Sequence, residues 1–372
     1  MKKQSIPELQ RMPLEEVCLM ILAGNLATDC MSFLMQAPQP PTSDAVNVAL
    51  KVLEDVNAIE PISSKNDSRV EIITPLGKHL AKLPVDIRLG KMLIFGVLFK
   101  ALDKTLTIAA SLSAKSPFST NIDGSQEVSA AHKAFTHASS DFITVCNVWD
   151  GYCSARSISI SNGRKFCEKH YLNRVALEEI NDTRKQYIQL LVQIGFIDSA
   201  LLPSNDKVLS TCYNINGSNE SILSAIICAG FYPNCAHALT KYDEPLSMWQ
   251  QNDQLWFHKS STFHNKKKAD SEWFIFHEKF ATHKVFISTA TTIKPFSLLL
   301  FGKSIEINHL SRRVVVDGWI ELGIPAQTAV IFRELRREMS KELNKKISFV
   351  DTEDDTNRIS IIDGISKLIS LE

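Results

Sequence analysis

The residues best suited to chemistry in this sequence are cations set among aromatic rings. Lys259, Lys266, Lys267, Lys268, Lys284, Lys294, Arg312 and Arg313 are interleaved with Trp256, Phe257, Phe263, Phe274, Phe276 and Phe286. Such a set can take phosphates on its charges and stack bases on its rings, which is how single-stranded nucleic acid is held. The alternative is a solvated loop for Lys266–Lys268 and a hydrophobic core for most of the rings. Arg333, Arg336, Arg337, Lys341 and Lys345 fall at helical spacing and are expected on one exposed face.

Other chemistry lacks the necessary spacing. Gly302-Lys303-Ser304 resembles the tail of a phosphate loop, but GxxxxGK[ST] needs glycine at position 297, where Ser297 stands. There is no GxSxG elbow and no HExxH. Cys146-x6-Cys153 and Cys167-x2-His170 miss tetrahedral zinc spacing, and Cys228, Cys235 and His237 are no better. Glu15-Glu16 and Glu178-Glu179 read as solvated helix faces. With no P-loop and none of these other motifs, no autonomous catalysis is expected, and no catalytic, cofactor or metal residue is assigned.

The elements that must position these residues follow from composition and periodicity. The 372 residues include 41 Lys+Arg, 41 Asp+Glu and only 14 Gly, with 44% hydrophobic residues. The neutral total conceals a partition. Residues 1–256 carry 23 basic and 26 acidic side chains, 257–348 carry 16 and 9, and 349–372 carry 2 and 6. The cations thus concentrate in one segment. No run of about 18 apolar residues predicts a membrane span, and eight irregularly spaced cysteines suit a reducing cytosol or nucleus.

Helices are expected after Pro13, after a Thr42 or Ser43 cap, and after Thr74-Pro75, with a strand at Val70–Ile73. Asp86 and Asp103 are candidate caps, followed by helices near 105–113, 126–137, 141–156 and 172–195. Ser221 is expected to cap a helix to Ala229. The period then shortens. Leu246–Trp249, Leu255–His258, Trp273–His277, Val285–Ser288, Leu298–Phe301 and Val314–Val316 read as strands of a small closed barrel. Pro325 opens a closing helix to about Lys346, and a last helix lies near 358–370. The fold class is multidomain α+β: a winged-helix module, an all-α helical bundle, then a small OB-like barrel with a closing helix.

These residues resemble the C-terminal region of the DEAH/RHA-type RNA helicases. The similarity rests on Pro13-Leu14-Glu15-Glu16-Val17-Cys18-Leu19, Thr74-Pro75-Leu76-Gly77-Lys78-His79-Leu80-Ala81-Lys82-Leu83-Pro84 and Leu106-Thr107-Ile108-Ala109-Ala110-Ser111-Leu112-Ser113. It extends to Ala229-Gly230-Phe231-Tyr232-Pro233-Asn234 and Val316-Asp317-Gly318-Trp319-Ile320. The large translation- and structured-RNA-associated branch is the most similar. The resemblance implies a remnant of the second RecA-like domain at 1–12, a winged helix at 13–85 and a ratchet-like bundle at 86–197. A linker at 198–218, the barrel with its closing helix at 219–348, and an acidic turn and helix at 349–372 complete the division. It implies RNA-binding and motor-coupling roles, with ATP and Mg²⁺ supplied only through RecA-like domains outside this sequence. A fragment or motorless paralogue is therefore expected.

The implied partners are single-stranded or structured RNA, the RecA-like motor, and a protein activator or ribosomal subunit, with no membrane. A cytoplasmic location is implied, with the nucleus as the alternative. A protein-docking scaffold without RNA is the alternative function. The family's His-Pro-Ser-Ser turn reads His258-Lys259-Ser260-Ser261 here, adding a cation. The basic segment and this turn together give the expected RNA-contacting set: His258, Lys259, Ser260, Ser261, Lys284, Lys294, Arg312 and Arg313. Ser288 replaces a usual basic residue. The family's Ser-Asp-His-Leu, near the RNA path in relatives, reads Ser140-Asp141-Phe142-Ile143.

Overall fold

Short polar side chains start most of the helices, at positions where an otherwise orphaned backbone N–H needs an acceptor. The computed structural model describes residues 7–63, 69–118, 126–199, 211–239, 245–308, 313–347 and 361–372. The chain divides into two units, residues 1–91 with 336–358 and residues 92–335 with 359–372.

In the first unit α1 (Glu15–Ala23), α2 (Cys30–Leu34) and α3 (Ser43–Asp55) precede an antiparallel pair, β1 (Ile59–Ser63) and β2 (Arg69–Ile73). Helix α4 (Pro75–Leu80) follows. Thr42 caps α3 through Ala45 N at 3.3 Å, and Thr74 caps α4 through Gly77 N at 3.0 Å, with Pro75 fixing the first turn. Cys18, Leu22, Val46, Leu50, Leu53 and Leu80 form the core. A methyl on Gly77 would run into the Ala58 carbonyl and the Ile73 side chain, so only glycine permits this approach of helix to strand. The strand β1 escapes the sequence pattern because Pro61 interrupts it.

The chain crosses between units within α5 (Ile87–Leu98), which Asp86 caps through Arg88 N and Leu89 N. The helical part of the second unit comprises α6 (Leu102–Ser113), α7 (Gln126–Lys133), α8 (Asp141–Ile158), α9 (Ile160–Lys169) and α10 (Arg174–Gln193). Asp103 is not a cap. It lies in the first turn of α6, where its N–H donates to Asn214 Oδ1 at 2.7 Å. The extra helix α9 is separated from α8 by Ser159 alone, an extended residue that caps α9 through Asn162 N. Helix α11 (Glu220–Phe231) is capped by Asn219, not Ser221.

The strands are β3 (Cys235–Leu239), β4 (Ser247–Gln250), β5 (Asp253–Phe257), β6 (Trp273–Phe276), β7 (Lys279–Ala281), β8 (Val285–Ile287) and β9 (Ala290–Ile293). They form one curled OB-like sheet in the order β7-β8-β5-β4-β3-β6-β9, antiparallel except for β5–β8. Where closure was expected, the sheet opens between β7 and β9. Met248, Leu255, Phe257, Phe263, Phe274, Phe276 and Ile287 fill its inner face.

Leu298–Phe301, expected as a strand, belongs to α12 (Pro295–Phe301), because Pro295 starts a helix whose last five residues are all buried and show no helical stripe. Val314–Val316 is a strand of a separate three-stranded sheet, β10 (Ile305–Asn308), β11 (Arg313–Val316) and β12 (Ile320–Leu322). Helices α13 (Ala326–Ile347) and α14 (Ile361–Leu371) end the order. No described helix is long and apolar enough to cross a membrane.

Candidate nucleic-acid interface

Strand register decides which aromatic rings face solvent. Trp256 on β5 pairs with Phe286 on β8, which pairs with Phe280 on β7. Registered partners share a face of a sheet, so the three rings form a row. The next register, Phe257, Ile287 and Lys279, points the other way, and Phe257 and Ile287 are buried. Phe280 and Phe286 stack with centroids 5.9 Å apart at 25°. Phe280 is 38% exposed, and Trp256 and Phe286 are half-buried.

Polar groups rim this row. Lys284 Nζ lies 4.7 Å from the Trp256 ring centroid, a cation–π arrangement. The His258 ring sits 5.5 Å from Phe280 and 6.4 Å from Phe286, and His283 lies 5.6 Å from Phe286. His258 N donates to Ile287 O at 2.9 Å. Ser260 donates its backbone N–H to His258 Nδ1 at 3.3 Å, and its Oγ lies 2.8 Å from the same nitrogen. Lys259 and Ser260 are exposed on this turn.

The remaining members of the expected set go elsewhere. Ser261 faces inward, 6% exposed, and donates its hydroxyl to Asp141 Oδ2 at 2.7 Å. Lys294 follows β9, at the opposite edge of the sheet order from β7. Its Nζ reaches Ser221 Oγ at 3.4 Å, beside a cleft also lined by Ser139, Ser271 and Glu372. Burial pushes the Glu372 carboxyl up to about 7. Arg313 belongs to the three-stranded sheet and pairs with Glu321 at 2.6 Å. Arg312 lies outside the described residues. Lys266 donates to Ala138 O at 2.7 Å and covers the Phe263 ring. The structure therefore brings His258 and Lys284 to the ring row, leaves Lys259 and Ser260 exposed on the adjoining turn, and directs Ser261, Lys294 and Arg313 elsewhere.

Phe280 and His283 escaped the sequence reading. Strand β7 has three residues, all exposed, and carries no alternation to reveal which way Phe280 points.

The phosphate-loop fragment already holds an anion. Lys303 N and Ser304 N donate to the Asp317 carboxylate at 3.1 and 2.6 Å, and Tyr232 Oη donates to it as well. These N–H groups form the kind of nest that takes phosphate elsewhere. Among the cysteines, Cys146 is buried and its thiol is pushed up to about 12 by burial, the opposite of a metal-ready thiolate. No group of three or more metal-type side chains converges among the described residues.

Four family models match in this order: the helicase-associated winged helix at residues 49–85, the ratchet-like helicase-associated domain at 86–145, the oligonucleotide/oligosaccharide-binding fold at 223–305, and the C-terminal domain in RNA helicases at 312–371. The ATP-dependent RNA helicase dhx29 of Xenopus laevis is 35% identical over 349 residues, 92% of this chain and 25% of its own length. The ATP-dependent DNA/RNA helicase DHX36 of Homo sapiens is 33% identical over 378 residues, 99% of this chain and 36% of its own length. The chain thus spans about a quarter to a third of these curated relatives. With all four models in sequence and both relatives aligned along nearly its whole length, the chain belongs to the DEAH-box RNA helicase family and carries that family's C-terminal domains.

Proposed function

We propose that this chain is the RNA-binding and motor-coupling C-terminal region of an ATP-dependent RNA helicase, with single-stranded RNA crossing the Trp256–Phe286–Phe280 row. The observation that carries this is the register of three outward rings across β5, β8 and β7, rimmed by Lys284 and His258, with Lys259 exposed on the adjoining turn. Rings accept bases of any sequence and the lysines accept phosphates. In this reading ATP and Mg²⁺ act only through RecA-like motor domains, and the two helicase-associated modules pass motor movement to the sheet. A cytoplasmic location, with the nucleus as the alternative, accompanies it.

Fluorescence anisotropy with a labelled oligouridine tests the row. Phe280→Ala with Phe286→Ala is expected to weaken binding at least about tenfold, since each stacked base contributes about 1–3 kcal/mol. Unchanged affinity would sink the reading.

A second reading is favoured by the first unit, where Met20, Leu26, Phe33 and Met35 are each at least 38% exposed. Exposed apolar side chains in such number suit a docking surface for a protein activator. Recovery of a protein partner after nuclease treatment, without RNA crosslinking to the sheet, would favour this reading over the first.

A further inference from the structure

We propose that Asp141 is a positioning residue that couples helix α8 to the RNA-contacting turn His258–Ser261. The coupling rests on the RNA reading of the ring row, but its geometry does not. A carboxylate buried to 7% exposure is uncommon unless it is paired. Asp141 is held by three uncharged donors from distant parts of the chain. Ser261 Oγ donates at 2.7 Å, Thr262 N at 2.7 Å and Ala290 N at 3.0 Å. Helix α8 does not need this carboxylate, because Ser140 already caps it through Ile143 N at 3.2 Å. Asp141 is therefore available for the sheet.

From Asp141 the connection reaches the ring row in two steps. Ser261, held by the carboxylate, donates its own N–H to His258 O at 3.0 Å. His258 in turn packs against Phe280 and Phe286. The same carboxylate holds the start of β9 through Ala290. The chain leading into α8 is tied there too, by Thr292 N donating to Ser139 O at 2.9 Å. Phe142 stacks on Phe231 at 5.8 Å and completes the attachment. Hydrogen bonds weaken steeply with distance and angle, so a shift of α8 that is not followed by the turn breaks the bonds from Ser261 and Thr262, and one that is not followed by β9 breaks the bond from Ala290. The turn is therefore expected to move with α8 as one body.

Asp141→Asn tests this with little change of shape. Oδ2 accepts from both Ser261 and Ala290 and Oδ1 accepts from Thr262. An amide offers one oxygen, so either orientation turns an NH₂ toward a backbone N–H. Hydrogen exchange of the full chain without RNA is the first readout. The Thr262 and Ala290 amides are expected to exchange at least tenfold faster, with α11 amides unchanged. Ser261→Ala removes the hydroxyl link to Asp141 together with the acceptor of Phe263 N at 3.2 Å, and is expected to speed Thr262 less. It serves if Asp141→Asn does not fold. Unchanged exchange at 258–263 in the folded variants would overturn the positioning role, whatever RNA does.

Oligouridine affinity is the second readout. Asp141→Asn is expected to weaken binding about fivefold in the wild-type background and not at all when His258 and Lys259 are already alanine. Equal losses in both backgrounds would show a general structural effect and overturn the coupling. Absence of any affinity in the wild type would overturn the RNA reading and with it the coupling to RNA, while the exchange result would stand for the turn.

Discussion

At the residue scale, burial decides what a polar side chain can do. His79 in α4 is 3% exposed, and burial, aided by the charge of Lys82, pushes its imidazole down to about 4 from the ordinary 6.5. The folded value is the depressed one, so the native state holds His79 neutral. That stability is fully present above pH 6.5 and is lost as pH falls through about 4. The loss is expected to be on the order of 1–3 kcal/mol. His79→Gln is expected to flatten the wild-type fall in melting temperature between pH 6.5 and 4. Parallel pH profiles for the two proteins would count against it. The same principle explains what the sequence hid in the candidate site. The turn His258–Ser261 stood out as a motif, and Lys259 and Ser260 are exposed on it. The inward direction of Ser261 could not be foreseen, because it depends on a carboxylate 120 residues away.

At the scale of elements, what was legible followed local signals. Thr42, Asp86 and Thr74-Pro75 announced α3, α5 and α4 because capping is settled within three or four residues. Strands of three to five residues gave little period to read, so β3, β7, β9, β10 and β12 passed unnoticed. Leu298–Phe301 misled because a helix buried all round shows no stripe. The α8–α9 hairpin was missed because only Ser159 separates its arms. Its close packing depends on glycine. The requirement sits at Gly151, where a methyl would lie 2.8 Å from Phe166 Cζ, whereas one at Gly163 would make an ordinary contact at 3.4 Å from Arg156 Cβ. Gly151→Ala is therefore expected to force Phe166 aside, disturbing its edge contact with Phe135. Overpacking of this kind costs about 1–3 kcal/mol. Chemical denaturation is expected to show that loss despite alanine's better helix propensity. A gain in stability would mean that Phe166 has room to move.

At the scale of the whole molecule, the equal numbers of acids and bases mask a basic segment at 257–348, and salt dependence can count how much of it meets RNA. Eight cations there were candidates from sequence: Lys259, Lys266, Lys267, Lys268, Lys284, Lys294, Arg312 and Arg313. Among the described residues the structure sets Lys284 over the ring row and leaves Lys259 exposed on the adjoining turn, with Lys266 turned to Ala138 O, Lys294 after the opposite edge strand and Arg313 paired on another sheet. For single strands, log affinity falls against log salt with a slope of about −0.7 per phosphate contact. Two contacts predict a slope of about −1.4, a loss of about sevenfold between 50 and 200 mM salt. Eight predict about −5.6, a loss of roughly two thousandfold over the same range. The shallow slope is expected for oligouridine binding to the full chain. Lys259→Ala and Lys284→Ala are each expected to reduce it by about 0.7, while Lys294→Ala leaves it unchanged. A steep slope that also falls with Lys294→Ala would move the RNA path away from the ring row and onto the whole basic segment.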